Sequence, residues 1–288
     1  MEQPNITGHT KLIGLLGHPV DHSMSPAMHT ASYAHLGEDI VYLSFDVEPE
    51  GLKTAVDGMK VMGFVGANVT MPCKTFVGQY LDELTPAAEL MGAVNTVAIR
   101  DGKAIGHNTD GAGFVKNLEL NGVTIKGAHV TLIGCGGAGS AIMTQLALDK
   151  VAKIDVFNAK DQFWDATLDR VAKVAEKTGT PIELHDLADK DDMKACALAS
   201  TIFINATPVG MAPNTDGCVA TEDMLHEGLA VGDTVYNPRE TKLIKMAKAK
   251  GLTACGGLGM LLQQAALGEE FWNGAKMDTK FIEENFYN

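Results

Sequence analysis

The sequence predicts an α/β protein of two domains: an N-terminal α/β substrate domain and a doubly wound, mainly parallel-sheet domain, with C-terminal helices returning to the first. Three observations carry this. Short apolar runs of strand length alternate with stretches whose apolar residues recur at helical spacing. With 288 residues, 45% of them hydrophobic, the chain has material for two cores. Residues 130–141, VTLIGCGGAGSA, form an apolar run that stops at glycines and restarts as a helix.

Each element follows in order. Residues 12–16 read as a strand ending at Gly17, followed by the loop GHPVDHSMSP. Ser25 is expected to cap a helix with Pro26 at its first position, where a missing N–H costs nothing. Residues 40–45 form a second strand, and residues 49–62 carry Leu52, Val56 and Met59 at helical spacing. A third strand, 64–69, runs into Thr70-Met71-Pro72-Cys73-Lys74, so polar groups gather at a strand's carboxyl end, where open α/β sheets bind ligands. Thr85-Pro86 starts a helix, and residues 95–100 and 103–106 form a hairpin around Asp101-Gly102. Asn108-Thr109-Asp110-Gly111 and a helix over 112–120 close the first domain, 1–121.

The second domain, 122–258, opens on the glycine-rich stretch. Gly134, Gly136, Gly137 and Gly139 let the backbone turn tightly, and a helix beginning near Gly137, with Ala138 in its first turn, aims its free N–H groups at a pyrophosphate. This makes the second domain Rossmann-type. Strands follow at 153–157, 182–185, 201–205 and 234–236, with helices at 163–177 and 192–198. The segment from Gly259 onward is helical and is expected to fold back onto the first domain, placing Gln264 in the cleft.

Composition narrows the function. A net charge of −13 and a pI near 5.1 argue against nucleic acid or an anionic membrane as partner, so the substrate is small. Five cysteines (Cys73, Cys135, Cys196, Cys218, Cys255) form no C-x-x-C pair and read as free thiols of a reducing cytoplasm, with no metal-ligand set. Neither a signal peptide nor an apolar run of about eighteen residues is visible, so a soluble, cytoplasmic protein is expected. N-x-T triplets at Asn5 and Asn68 carry no weight as glycosylation acceptors in such a chain. Lys74 and Asp110 each end a cluster of small polar residues. A lysine facing a carboxylate can donate or take a proton.

These motifs resemble the shikimate dehydrogenases. The likeness rests on Ser23 and Ser25 in HSMSP, Asn68, Thr70 and Lys74 in NVTMPCK, Asn95 in AVNT, Asp110 in NTDG, NATPVGM at 205–211 and GLGMLLQQAA at 257–266. FNAKDQFWD and the YNP at Tyr236 look most similar to the quinate/shikimate branch. The resemblance implies reversible hydride transfer between a nicotinamide and C3 of a hydroxylated cyclohexene carboxylate. It makes Lys74 the general acid or base with Asp110 beside it. Ser23, Ser25 and Tyr236 would hold the carboxylate, and Asn68, Thr70, Asn95, Asp110 and Gln264 would read the ring hydroxyls. Thr207, Gly210, Met211 and Gly257 would lie near the nicotinamide.

Cofactor preference turns on Asn158, Ala159, Lys160 and Asp161. Family members restricted to NADP carry an arginine where Ala159 stands, and an acid such as Asp161 accepts ribose hydroxyls while repelling a phosphate. NAD is favoured, with NADP left open by Lys160. Asp155 reads as a strand residue. Cys73 and Gly256 depart from the family pattern, and a thiol at 73 is expected to be open to alkylating agents. Rival readings are a dehydrogenase of quinate alone or of another polyol carboxylate, and a non-catalytic metabolite sensor. Oligomeric state is left open, a homodimer among the options.

Overall fold

Residues 6–287 are described by a computed structural model. The chain divides into two compact units, the boundaries falling after Thr109 and between Gln263 and Gln264. The first unit contains β1 (Lys11–Gly17), α1 (Ser25–His35), β2 (Ile40–Asp46), α2 (Leu52–Met62), β3 (Gly66–Val69), β4 (Glu83–Leu84), α3 (Pro86–Met91), β5 (Thr96–Arg100) and β6 (Lys103–His107). They form a mixed six-stranded sheet of order β2-β1-β3-β5-β6-β4. β1 is parallel to β2 and β3, while β5 runs antiparallel to β3 and β6.

Strand alternation sorts the two faces. Leu16, Val69 and Val97 join Val56 and Met59 on one side, and Ile13, Leu15, Tyr42 and Ala98 join Tyr33 and Trp272 on the other. The β5–β6 hairpin turns at Asp101 and Gly102, both with positive φ (50° and 74°), the geometry an Asp-Gly turn favours.

The second unit contains α4 (Asp110–Leu120), β7 (His129–Ile133), α5 (Gly137–Leu148), β8 (Lys153–Asn158), α6 (Trp164–Thr178), β9 (Ile182–Asp186), α7 (Lys190–Ala199), β10 (Ile202–Asn205), β11 (Ala230–Asp233), α8 (Lys242–Ala249) and β12 (Ala254–Cys255), with α9 (Gly257–Asn273) beginning in it. All six strands are parallel, in the order β9-β8-β7-β10-β11-β12. Counted within the unit this is 3-2-1-4-5-6, whose connections reverse direction between β7 and β10. Residues 264–273 of α9 and α10 (Thr279–Phe286) belong to the first unit. There Glu269, fully buried, accepts from Ser32 Oγ at 2.8 Å and pairs with His29 Nδ1 at 2.8 Å.

Four expectations need correction. The boundary expected at 121/122 lies at Thr109, because α4 packs on α5 so closely that a Cβ at Gly111 would stand 2.3 Å from the Ala141 carbonyl oxygen. The C-terminal return begins at Gln264 rather than Gly259, since Gly259 lies against Asn117 of α4. The strand expected at 234–236 is β11, four residues earlier. Gly232 interrupts its β-forming pattern, yet only glycine fits there, a Cβ standing 2.5 Å from the Phe114 ring. Ser25 is the first residue of α1 rather than its cap, and the hydroxyl accepting from Ser25 N is that of Ser23, at 3.2 Å. Helix α8 and the two-residue β12 were not anticipated.

The α4–α5 contact makes Gly111→Ala a sharp test of this division. The added methyl meets backbone that cannot swing aside, so the variant is expected to lose about 2–3 kcal/mol in urea unfolding. A stability matching wild type would show that α4 does not pack this tightly.

Candidate active site

In the first unit, Ser23 and Ser25 follow β1, Thr70 and Lys74 follow β3, Asn68 lies in β3 and Asn95 just before β5. Gly17 ends β1, and a Cβ there would stand 2.4 Å from Thr70 Cγ2, so the β1 and β3 exits run side by side. Ser23 and Ser25 follow β1 across the loop, both half-buried. Asn68 lies within β3. Its Nδ2 donates to the Asn95 carbonyl at 3.0 Å and to Thr96 Oγ1 at 3.3 Å, and its Oδ1 accepts from the Tyr42 hydroxyl at 2.8 Å. Lys74 sits half-buried in a single 3-10 turn, Cys73–Thr75, with its carbonyl accepting from Val94 N.

Asn95 is 2% exposed and works on its own neighbourhood. Its Nδ2 donates to Thr109 Oγ1 at 3.0 Å and its Oδ1 accepts from Thr109 N at 2.8 Å, fixing the residue before Asp110. Asp110 opens α4 in the second unit, half-buried, while Gln264 is half-buried in the first. Tyr236, in the second unit, is 53% exposed. His107 of β6 shares a hydrogen bond with Thr85 Oγ1 at 2.8 Å, and burial pushes its pKa down, which favours the neutral ring.

The second unit places its glycines at the reversal point of its sheet. Gly134 leaves β7 with φ 92°, a conformation glycine adopts freely. A Cβ at Gly139 would stand 2.1 Å from the Gly134 carbonyl oxygen, so α5 starts tight against the strand exit. At Gly136 and Gly137, both exposed, a Cβ would meet nothing within 4 Å. Open backbone at a helix N-terminus matches what a pyrophosphate needs, and the donor set therefore fits a dinucleotide. Ala138 follows, half-buried.

Asn158 ends β8 and its Oδ1 accepts from Cys135 N at 3.0 Å, bracing the glycine turn. Asp161, exposed, accepts from Phe163 N at 2.8 Å, and the Lys160 ammonium lies 5.6 Å from the centre of the Trp164 ring. Thr207, Gly210 and Met211 follow β10. Thr207 donates its hydroxyl to Asn205 Oδ1 at 2.7 Å, Gly210 has φ 91°, and Met211 is 44% exposed. A Cβ at Gly257 would lie 2.2 Å from the Thr234 carbonyl oxygen, which gives that glycine a packing reason of its own.

Sequence reasoning missed the groups that hold these loops. Asp233 accepts from Asn205 Nδ2 at 3.0 Å, Val235 N at 3.0 Å and Thr241 Oγ1 at 2.6 Å, a buried network under the TPVGM loop. Its signal was a lone Asn and a lone Asp on adjacent strand ends, visible only once β10 and β11 pair. Asp155 is more than a strand residue. It is buried, with Lys153 Nζ at 2.9 Å, His129 Nε2 at 2.6 Å and His185 Nε2 at 3.1 Å. Among the described residues, Asp155, His185 and Cys196 form the one cluster with metal-ligand spacing, their ligand atoms within 4.8 Å, and the Lys153 ammonium already faces that carboxylate. A cavity of about 770 Å³ at the other end of the second sheet is lined by Thr201, His226, Glu227, Leu229, Lys250 and Thr253; Lys250 Nζ donates to the Glu222 and Leu225 carbonyls, and the His226 ring bonds the Glu227 and Ser200 carbonyls.

A six-stranded parallel sheet of this order, with its glycine turn at the reversal point, defines a Rossmann-type dinucleotide-binding unit. Residues 15–97 match the shikimate dehydrogenase substrate binding domain, and residues 257–284 the shikimate 5'-dehydrogenase C-terminal domain. A shikimate dehydrogenase (NADP(+)) of Listeria monocytogenes serotype 4b is 44% identical over 280 residues, 97% of this chain and 96% of the relative. The crystal structure of shikimate 5-dehydrogenase from Listeria monocytogenes with shikimate and NAD superposes with a TM-score of 0.94 at 44% identity, covering 98% of each chain. Quinate dehydrogenase from Corynebacterium glutamicum with NAD superposes at 0.84 with 33% identity, over 96% of this chain and 98% of that one. The chain belongs to the shikimate dehydrogenase family, a family of oxidoreductases. No helix among the described residues is long and apolar enough to cross a membrane.

The Cys73 thiol corrects one expectation. It is fully buried, its Sγ donates to the Val47 carbonyl at 3.3 Å, and burial raises its pKa, which shrinks the reactive thiolate fraction at any pH below it. Iodoacetamide at pH 8 is therefore expected to leave Cys73 unmodified in the native protein, read by peptide mass spectrometry. Rapid labelling there would contradict the buried placement.

Proposed function

We propose that the protein is a dehydrogenase that interconverts shikimate and 3-dehydroshikimate, accepts quinate as well, and prefers NAD over NADP. What carries the reading is Lys74 in a turn just beyond β3, in the same unit as Ser23, Ser25, Asn68, Thr70, Asn95 and Gln264. A polyhydroxy acid needs such a set: hydroxyl donors for its carboxylate and neutral amides and hydroxyls for its ring. The 44% identity to a relative crystallised with shikimate and NAD supports the same assignment.

In this reading Ser23 and Ser25, with Tyr236, hold the carboxylate, and Asn68, Thr70, Asn95, Asp110 and Gln264 read hydroxyls. Lys74 moves the proton. In oxidation the C3 hydroxyl gives its proton to the neutral Lys74 amine as the C3–H leaves with its electron pair. In reduction the ammonium returns the proton to the oxygen and stabilises the charge that develops there. The nicotinamide, when bound, accepts or returns the hydride.

Gly134, Gly136, Gly137, Ala138 and Gly139 would hold the pyrophosphate, and Thr207, Gly210, Met211 and Gly257 would border the nicotinamide. Preference for NAD rests on the end of β8. Ala159 offers no bidentate contact to a 2′-phosphate, and the Asp161 carboxylate repels one. Lys160, turned to the Trp164 ring, supplies the residual tolerance of NADP. Quinate is included because a quinate dehydrogenase shares the fold at 33% identity.

Lys74→Ala is expected to lower kcat by about 10²–10⁴-fold, the usual worth of a positioned acid–base group, while the dinucleotide Kd holds. A kcat within twofold of wild type removes the proton-transfer role. Comparing kcat/KM for shikimate and quinate with NAD and NADP is expected to rank shikimate with NAD first. A higher value with NADP would overturn the assignment of the β8 end.

A further inference from the structure

We propose that Tyr42 and Thr96 are positioning residues that lock the Asn68 amide so that it presents only a hydrogen-bond acceptor to the substrate's ring hydroxyl. The inference rests on the reading of Asn68 as a substrate-binding residue. An asparagine amide has two donors and an acceptor oxygen with two lone pairs. Both Nδ2 hydrogens are committed, to the Asn95 carbonyl and to Thr96 Oγ1. Thr96 cannot reverse its bond, because its own proton goes to Asn95 Oδ1 at 2.9 Å. The Tyr42 hydroxyl then takes one lone pair of Asn68 Oδ1. One lone pair is left, and it accepts.

Tyr42 is built for this task. It is 1% exposed, its ring stacks on His29 with centroids 4.7 Å apart and 15° between planes, and His29 is pinned by Glu269. Burial holds the phenol well above its usual pKa, so it stays a protonated donor, while a hydrogen bond from the Ser25 side chain works in the opposite direction. A tyrosine this deeply buried serves the substrate through Asn68.

The test is a set of steady-state measurements. Tyr42→Phe keeps the ring and removes the donor, and is expected to raise the KM for shikimate about five- to tenfold, the range of one lost hydrogen bond. The kcat is expected within twofold of wild type and the dinucleotide KM unchanged. Thr96→Val, which frees one Nδ2 hydrogen, is expected to act the same way and carries the test alone should the phenylalanine variant not fold. In an Asn68→Ala background neither change is expected to raise KM further. An unchanged shikimate KM in both single variants overturns the proposal, as do full additivity with Asn68→Ala or a dinucleotide KM that rises in parallel. An Asn68→Ala enzyme with wild-type KM instead removes Asn68 from the substrate site, a separate failure of the functional reading.

Discussion

A carboxylate with no exposed surface, Glu269, organises the first unit. A lone buried charge is costly, and breaking such a pair by removing one partner typically costs about 3–5 kcal/mol. Here His29 and Ser32, both on α1, satisfy one oxygen each. The bond ties α9, arriving from the far end of the chain, to the helix that follows β1. It also holds the His29 ring flat against Tyr42, and Trp272 packs on the same group. A Cβ at Gly66 would collide with Trp272, so β3 itself is shaped around that helix. The position of Asn68 on β3 therefore depends on residues some 200 positions later.

The second unit relies on a different constraint, the close approach of backbone to backbone. Gly139 against Gly134 brings α5 onto the end of β7, and Gly257 against Thr234 brings the start of α9 onto the end of β11. Both contacts lie at carboxyl ends of strands. Between them the buried Asn205–Asp233–Thr241 network holds the turn after β10 from beneath. Rigid supports of this sort let an exposed loop such as 207–211 keep its shape while its surface stays open.

Much of this architecture was legible in the sequence because local rules and the global fold agree. The glycine turn with its strand and helix, the Asp-Gly hairpin, and Thr85 as the cap that accepts from Ala88 N all stand where pattern and turn chemistry put them. The candidate site was legible as motifs, since each sits at a loop following a strand. Misreadings have two causes. At Gly232 and around α4, tertiary packing demanded residues that look wrong for their element, and Ser25 resembled a cap because the hydroxyl that takes its N–H belongs to Ser23, two residues earlier.

What the sequence determined by itself is the alternation of strands and helices, the Rossmann-type half and the polar motifs of a shikimate dehydrogenase family member, all of which are encoded in spacing over a few residues. Tertiary structure alone decided that α4 belongs with the dinucleotide-binding unit, that Cys73 is sealed from solvent, and that the Tyr42 hydroxyl meets Asn68 Oδ1. Those facts depend on which atoms meet across long sequence separations, such as Tyr42 with Asn68 or His29 with Glu269, and no local periodicity reports such meetings.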